Sequence, residues 1–186
     1  MSVHILALVG SLRSGSYNRQ LAEAAVKRAP EGVEVTVYEG LAEIPFYNED
    51  IDTDEQRPAA VARLRESATR ADALLLVTPE YNGTMPAVLK NAIDWLSRPY
   101  GSSILAGSPT AVIGTALGRY GGAWAQDDAR KSARIAGATV LEGPTLAIPG
   151  SVARFAETHP ADDTEAVAQL RQVLGALAAT IGVSAP

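Results

Sequence analysis

The chain has 186 residues, 47% of them apolar and 20% charged, a water-soluble globular composition with enough apolar mass for one sizeable core. Its 16 basic residues against 21 acidic ones give a net charge of −5, and the basic residues are scattered, which argues against nucleic acid as a partner. There is no cysteine, so disulfide frameworks, thiolate zinc sites, iron–sulfur clusters and cysteine nucleophiles are excluded together.

Histidine is nearly as scarce. His4 lies in an apolar run and His159 precedes Pro160, and neither sits in a hydrolase or metal motif. The longest apolar runs, Ile5 to Val9 and Ala73 to Val77, fall far short of the roughly 18 residues of a membrane span. No basic stretch followed by an apolar one opens the sequence, so the expected location is cytoplasmic.

Five strands are expected in chain order: Val3 to Val9, Val33 to Tyr38, Ala73 to Thr78, Thr110 to Thr115 and Thr139 to Ala147. The first, third and fourth are almost continuously apolar, as strands covered on both faces are, whereas Val33-Glu-Val-Thr-Val alternates as an edge strand does. Helical spacing of apolar residues appears between them: Leu21, Ala24, Ala25 and Ala29; Val61, Leu64 and Ala68; Val88, Leu89, Ala92, Ile93 and Leu96. A last helix is expected from a capping pattern at Asp162-x-x-Glu165 through Val167, Leu170, Leu174, Leu177 and Ile181. This alternation predicts a single α/β domain over residues 1–186, a three-layer doubly wound five-stranded parallel sheet of flavodoxin-like order 2-1-3-4-5. Ligands then belong beyond the carboxyl ends of the strands. The one long irregular connection, Gly40 to Pro58, reads as a covering loop or a partner surface.

The first strand leads into Gly10-Ser-Leu-Arg-Ser-Gly-Ser-Tyr-Asn-Arg19. Glycines for tight turning, serine hydroxyls, Asn18, the charge of Arg13 and a helix N-terminus together make an anion site, or else a strand-to-helix turn with an N-cap. Gly10-x-x-x-x-Gly15 starts like a nucleotide-triphosphate loop, but Ser16 stands where the phosphate-reaching lysine belongs, so a terminal monophosphate is the better fit. After the third strand, Thr78-Pro-Glu-Tyr-Asn-Gly-Thr-Met-Pro86 has a backbone stiffened by two prolines, with Tyr81 and Asn82 placed to hold a flat heterocycle. Pro86 reads as first-turn helix chemistry, and Trp95 and Leu96 as core or subunit contact.

Taken together, Gly-Ser-Leu-Arg-x-Gly-Ser-x-Asn, Pro-Glu-Tyr-Asn-Gly and Leu-Lys-Asn-Ala-Ile-Asp-Trp resemble the NAD(P)H-dependent FMN reductases of flavodoxin-like fold, which include bacterial quinone, chromate and azo-compound reductases. The resemblance runs from the first strand to the Gly-Gly loop after the fourth. It implies an FMN phosphate site at Ser11, Arg13, Ser16, Tyr17 and Asn18, and an isoalloxazine surface at Pro79, Glu80, Tyr81, Asn82 and Gly83, largely through backbone groups. It further implies contributions from Thr115, Gly118, Gly121 and Gly122. Ala116 departs from the family's common serine and Trp124 from its common arginine, which leaves Arg119 or Arg130 to meet the nicotinamide phosphate unless each is tied up in a surface salt bridge.

The implied activity is an oxidoreductase passing hydride from NADPH or NADH to FMN and on to a small-molecule acceptor such as a quinone, free flavin, azo compound or metal oxyanion, with ping-pong kinetics, no metal and no catalytic side chain. A flavodoxin-like electron carrier and a flavin-sensing protein are the alternatives. A homodimer or homotetramer is implied, with Phe46, Tyr47, Asp94 and Trp95 as interface candidates.

Overall fold

The computed structural model describes residues 2–182. Strand β1 (Val3–Val9) is followed by α1 (Tyr17–Arg28), β2 (Val33–Val37), α2 (Ala59–Thr69), β3 (Ala73–Val77), α3 (Ala87–Leu96), β4 (Pro109–Thr115), α4 (Ala123–Ile135), β5 (Thr139–Val140), β6 (Leu146–Ile148), α5 (Ser151–Arg154) and α6 (Thr164–Gly182). All strand pairs are parallel, in the order β2-β1-β3-β4-β5, with β6 also pairing with β4. The expected flavodoxin-like order is therefore the observed one.

Alternation along the strands divides the core in two. Ile5, Ala7, Val9, Leu75, Val77 and Ile113 face α1 and α6, meeting Leu21, Ala25, Leu170, Leu174 and Leu177. Leu6, Leu8, Leu74, Leu76 and Val112 face the other way, onto Val61 and Leu64 of α2, Leu89 and Ile93 of α3, and Ala129 and Ala133 of α4. Each strand of the centre is thus buried on both sides, which explains its unbroken apolar sequence. At about 1.5–3 kcal/mol for each large side chain taken out of water, these two layers are the main source of stability.

Three expectations change. The fifth strand is two short pieces, because Glu142-Gly143-Pro144-Thr145 leaves the sheet after Leu141 and Pro144 has no N–H for the ladder. The cap of α6 is Asp163, one residue later than the sequence pattern suggests: its carboxylate accepts from the Ala166 N–H at 2.9 Å, while Asp162 ends a single 3-10 turn. Pro86 is the residue just before α3, not within its first turn.

The loop after β2 is held down by a small set of polar side chains. On α3, Asn91 accepts from the Tyr47 N–H at 2.8 Å and donates to the Pro45 carbonyl at 2.9 Å, and one turn later the Trp95 indole N–H donates to the same carbonyl at 2.8 Å. Arg65 of α2 grips both oxygens of Asp52 at 2.7 Å and also donates to the Trp95 carbonyl, with Arg57 on the far side of the carboxylate. Hydrogen bonds from Arg65 hold the Asp52 carboxyl below the usual carboxylate range despite its burial.

Asp163 is also gripped by Arg154, at 2.7 and 2.9 Å, which together with the helix amides lowers its pKa to about 2. A depressed carboxylate pKa stabilises the fold above the unfolded-state value and is lost as pH falls towards the folded one. Asp163→Asn should cost roughly 2 kcal/mol at pH 7, and the gap from wild type should close between about pH 4 and pH 2, as read from urea denaturation across that range.

Candidate functional site

Three loops leave the carboxyl ends of β1, β3 and β4 side by side, because each strand's last bonds carry over into its neighbour: Gly10 N–H to Val77 O at 2.8 Å, and Thr78 N–H to Ile113 O at 2.9 Å. Close approach at this edge is enforced by Gly114, where a Cβ would stand 2.2 Å from the Thr78 carbonyl oxygen. Gly121, at φ +63°, leaves no room either, since a Cβ would meet the Ala147 carbonyl carbon at 2.5 Å.

In the first loop, no protein acceptor among the described residues takes the backbone N–H of any residue from Ser11 to Asn18. Eight successive donors therefore lie free where α1 begins, and the helix dipole adds to their field. Ser16 is the N-cap, its buried hydroxyl accepting from the Arg19 N–H. Arg19 is bound to Glu23 and by both terminal nitrogens to Glu39, and the Glu39 hydrogen bond holds its pKa above the ordinary value. Arg13 has no such partner among the described residues; its guanidinium folds back over the Gly15 turn, with Nη1 3.7 Å from where a Gly15 Cβ would be. Beside this loop a cavity of about 480 Å³ is lined by Ser11, Arg13, Ser14, Arg19, Tyr38 and Leu41 among others. A second cavity, of about 630 Å³, lies at the opposite end of the sheet past the ends of α3 and α4, away from the free amides.

The second loop is a tight turn. Tyr81 and Thr84 exchange backbone hydrogen bonds at 3.0 and 3.2 Å around Asn82 (φ 54°) and Gly83 (φ 78°), the two left-handed residues of a type I′ turn. Glu80 does not aim into the site: its carboxylate accepts from the Ala125 N–H at 3.2 Å and so caps α4, whose own N-cap, Gly122, has no side chain to do it. Thr84 bonds Asp128 on the same helix. The third loop keeps the N–H groups of Leu117, Gly118, Arg119, Tyr120 and Gly122 free of protein partners among the described residues.

Two residues expected to touch the cofactor are occupied elsewhere. The buried Asn18 amide donates to the Thr115 carbonyl at 2.8 Å and accepts from the Thr115 N–H at 3.0 Å. The Thr115 hydroxyl in turn donates to Ile148 O at 2.8 Å, so Thr115 has no free polar group left and both residues support the site from below. Tyr17 packs against Phe155, ring centroids 5.9 Å apart. Arg130 is also spent, on Asp127, Gln126 and the Val112 carbonyl, whereas Arg119 lies over the Tyr120 ring at 4.6 Å and bonds its hydroxyl. Trp95 is fully buried, so it belongs to the core and not to a subunit contact, while Phe46 is 78% exposed. His4 bridges to Thr36 and His159 accepts from the Ala161 N–H, which makes both structural. Among the described residues no cluster of His, Asp or Glu could hold a metal ion, and no helix is long and apolar enough to cross a membrane.

A cradle of free amides with one uncommitted guanidinium, next to a rigid turn, suits a phosphate-bearing flat group, and the relatives agree. Residues 3–153 match the family model described as NADPH-dependent FMN reductase. The chain belongs to that family. A quinone reductase of Pseudomonas putida is 40% identical over 86% of this chain and 84% of its own length, and an NAD(P)H-dependent FMN reductase of Pseudomonas aeruginosa is 39% identical over 94% and 93%. Among solved structures, a flavoenzyme NAD(P)H:(acceptor) oxidoreductase from Paracoccus denitrificans superposes with a TM-score of 0.85 at 33% identity, covering 97% of both chains. This FMN reductase family member is accordingly an oxidoreductase, and FMN with NAD(P)H is its cofactor set.

If Asn18 is the clasp between the first and third loops, Asn18→Ala leaves two buried main-chain groups of Thr115 unpaired. A loss of about 2–4 kcal/mol is expected, read as a lowered urea midpoint of the flavin-free protein.

Proposed function

We propose that this chain takes hydride from NADPH or NADH onto FMN and passes the electrons to a small-molecule acceptor, with a quinone as the best-supported class. The observation that carries the reading is the run of amides from Ser11 to Asn18 and the Arg13 guanidinium beside them, all without protein partners among the described residues. The names of its close relatives, quinone reductase and 2-hydroxy-1,4-benzoquinone reductase, support the acceptor class.

FMN, when bound, supplies the hydride and electron chemistry itself. The protein's part is placement. Ser11, Arg13 and the amides up to Tyr17 would hold the phosphate, with the Ser16 hydroxyl at its edge. The free N–H groups of Glu80, Asn82 and Gly83, with those of Leu117, Gly118 and Gly122, would face the ring and stabilise negative charge on its reduced form. Pro79 and the half-exposed Tyr81 ring would border the flavin on this turn, and Gly121 lets the third loop lie against Ala147 of β6. We assign no general acid or base. Nicotinamide and acceptor would use one open face in turn, which makes the kinetics ping-pong.

This reading takes residues 1–186 as one FMN-binding domain working in the cytoplasm. A second copy is part of it: Phe46 stands out from a loop that Asn91 and Trp95 hold rigid, which suits a contact between subunits. Sedimentation should give a mass of two or four chains, and a single-chain mass would exclude the contact.

The decisive experiment is an anaerobic visible spectrum of the protein with FMN before and after one equivalent of NADPH. A bound-flavin spectrum that bleaches, with parallel double-reciprocal lines when quinone is added, is expected; a bound flavin that does not bleach points to the carrier or sensor alternatives. In the same assay Arg13→Ala should weaken FMN binding by about 10- to 150-fold, the equivalent of ~1.5–3 kcal/mol for one charge-assisted contact. An unchanged affinity would show that Arg13 does not reach the phosphate.

A further inference from the structure

Trp124 is one of two tryptophans, and unlike buried Trp95 it is 59% exposed on the first turn of α4. Its ring borders the second loop, with Cε3 3.8 Å from where a Gly83 Cβ would be. Tyr120 lies against it at 5.7 Å between centroids, and the Arg119 guanidinium covers the Tyr120 ring. The ring contact and the guanidinium stacked on Tyr120 bias both rings towards this arrangement before anything binds. Tyr81 and Leu117 are further exposed apolar side chains on the second and third loops. Large apolar side chains left in water together at the mouth of a site are a surface waiting for a ligand.

The charges around this rim decide what kind of ligand. Asp127 and Asp128 follow Trp124 at three and four positions along the helix, and the Glu80 carboxylate meets the amide of the next residue, Ala125. Arg130 is committed to Asp127, and Arg119 to the Tyr120 ring and hydroxyl. Glu80, Asp127 and Asp128 against the two guanidiniums of Arg119 and Arg130 leave the rim with a small net negative charge, so an anion gains no net attraction here, while an uncharged ring meets a stacking partner at no electrostatic cost.

We propose that Trp124, with Tyr120 beside it, is the specificity-determining residue of the acceptor side and selects flat uncharged aromatic acceptors over anionic ones. The inference rests on the reductase reading above and narrows its acceptor to one charge class. Trp124 acts by binding and takes no part in electron transfer.

The test uses two acceptors that share one ring and differ in charge, 1,4-naphthoquinone and its 2-sulfonate. Their dissociation constants are measured by titration calorimetry on the FMN-loaded, oxidised protein without reductant, where neither can react. The wild type should favour the uncharged quinone by at least about fivefold. Trp124→Phe should keep the preference within about twofold, and Trp124→Arg should abolish or reverse it, with kcat/KM for the two quinones shifting in the same sense. Equal affinities in the wild type, no measurable binding of the uncharged quinone, or a ratio unmoved by Trp124→Arg would overturn the proposal. Failure of NADPH to bleach the bound flavin would overturn the reductase reading instead, and the two dissociation constants would still decide on Trp124.

Discussion

The side chain of Asn18 spans the gap between the start of α1 and the end of β4, and everything built at that edge of the sheet depends on it. A strand end at the surface leaves main-chain groups that must be satisfied, and a primary amide, with a donor and an acceptor side by side, can answer a carbonyl and an N–H of the same residue at once. By doing so, Asn18 spares the amides of the first loop from pairing with the third. Both main-chain groups of Thr115 are thus satisfied without drawing on the first-loop amides.

The same division of labour recurs in the other loops. Glu80 closes the N-terminus of α4, Thr115 is tied to Ile148, and Thr84 to Asp128, so polar side chains at the edge are largely used to hold backbone in place. What is left facing outward is largely main chain, with the Ser11 and Ser14 side chains, the Arg13 guanidinium and a set of rings. A site made in this way suits a cofactor that brings its own reactivity, since what it needs from the protein is a fixed surface of dipoles and walls.

The fold was legible in the sequence because its signals are local: unbroken apolar strands, helical spacing between them, and an Asn82-Gly83 pair that admits the left-handed turn. The first loop was legible for the same reason. The Asn18 side chain and the Thr115 main chain are bonded to each other across 97 residues, and no short-range pattern reveals that pairing. That the Glu80 carboxylate caps α4 could not be read locally, because its partner Ala125 lies 45 residues on. The cap of α6 was off by one because Asp162 and Asp163 are adjacent, and only the Ala166 contact distinguishes them. In Leu-Lys-Asn-Ala-Ile-Asp-Trp, Asn91 and Trp95 prove to be anchors for the loop after β2, a role invisible until that loop is folded over α3.

The broken fifth strand bears on how this molecule behaves among its own kind at high concentration. An open sheet edge is a template on which a neighbour's chain can lay down a strand, and the risk grows with the length of unpaired ladder. Here that edge is two pieces, of two and three residues, with Gly143-Pro144 in the gap. At the other margin β2 runs for only five residues and turns Glu34 to solvent. One margin of this apolar parallel sheet is thus too short and broken to be extended and the other carries an outward charge, so self-association is left to side-chain surfaces, which can be specific.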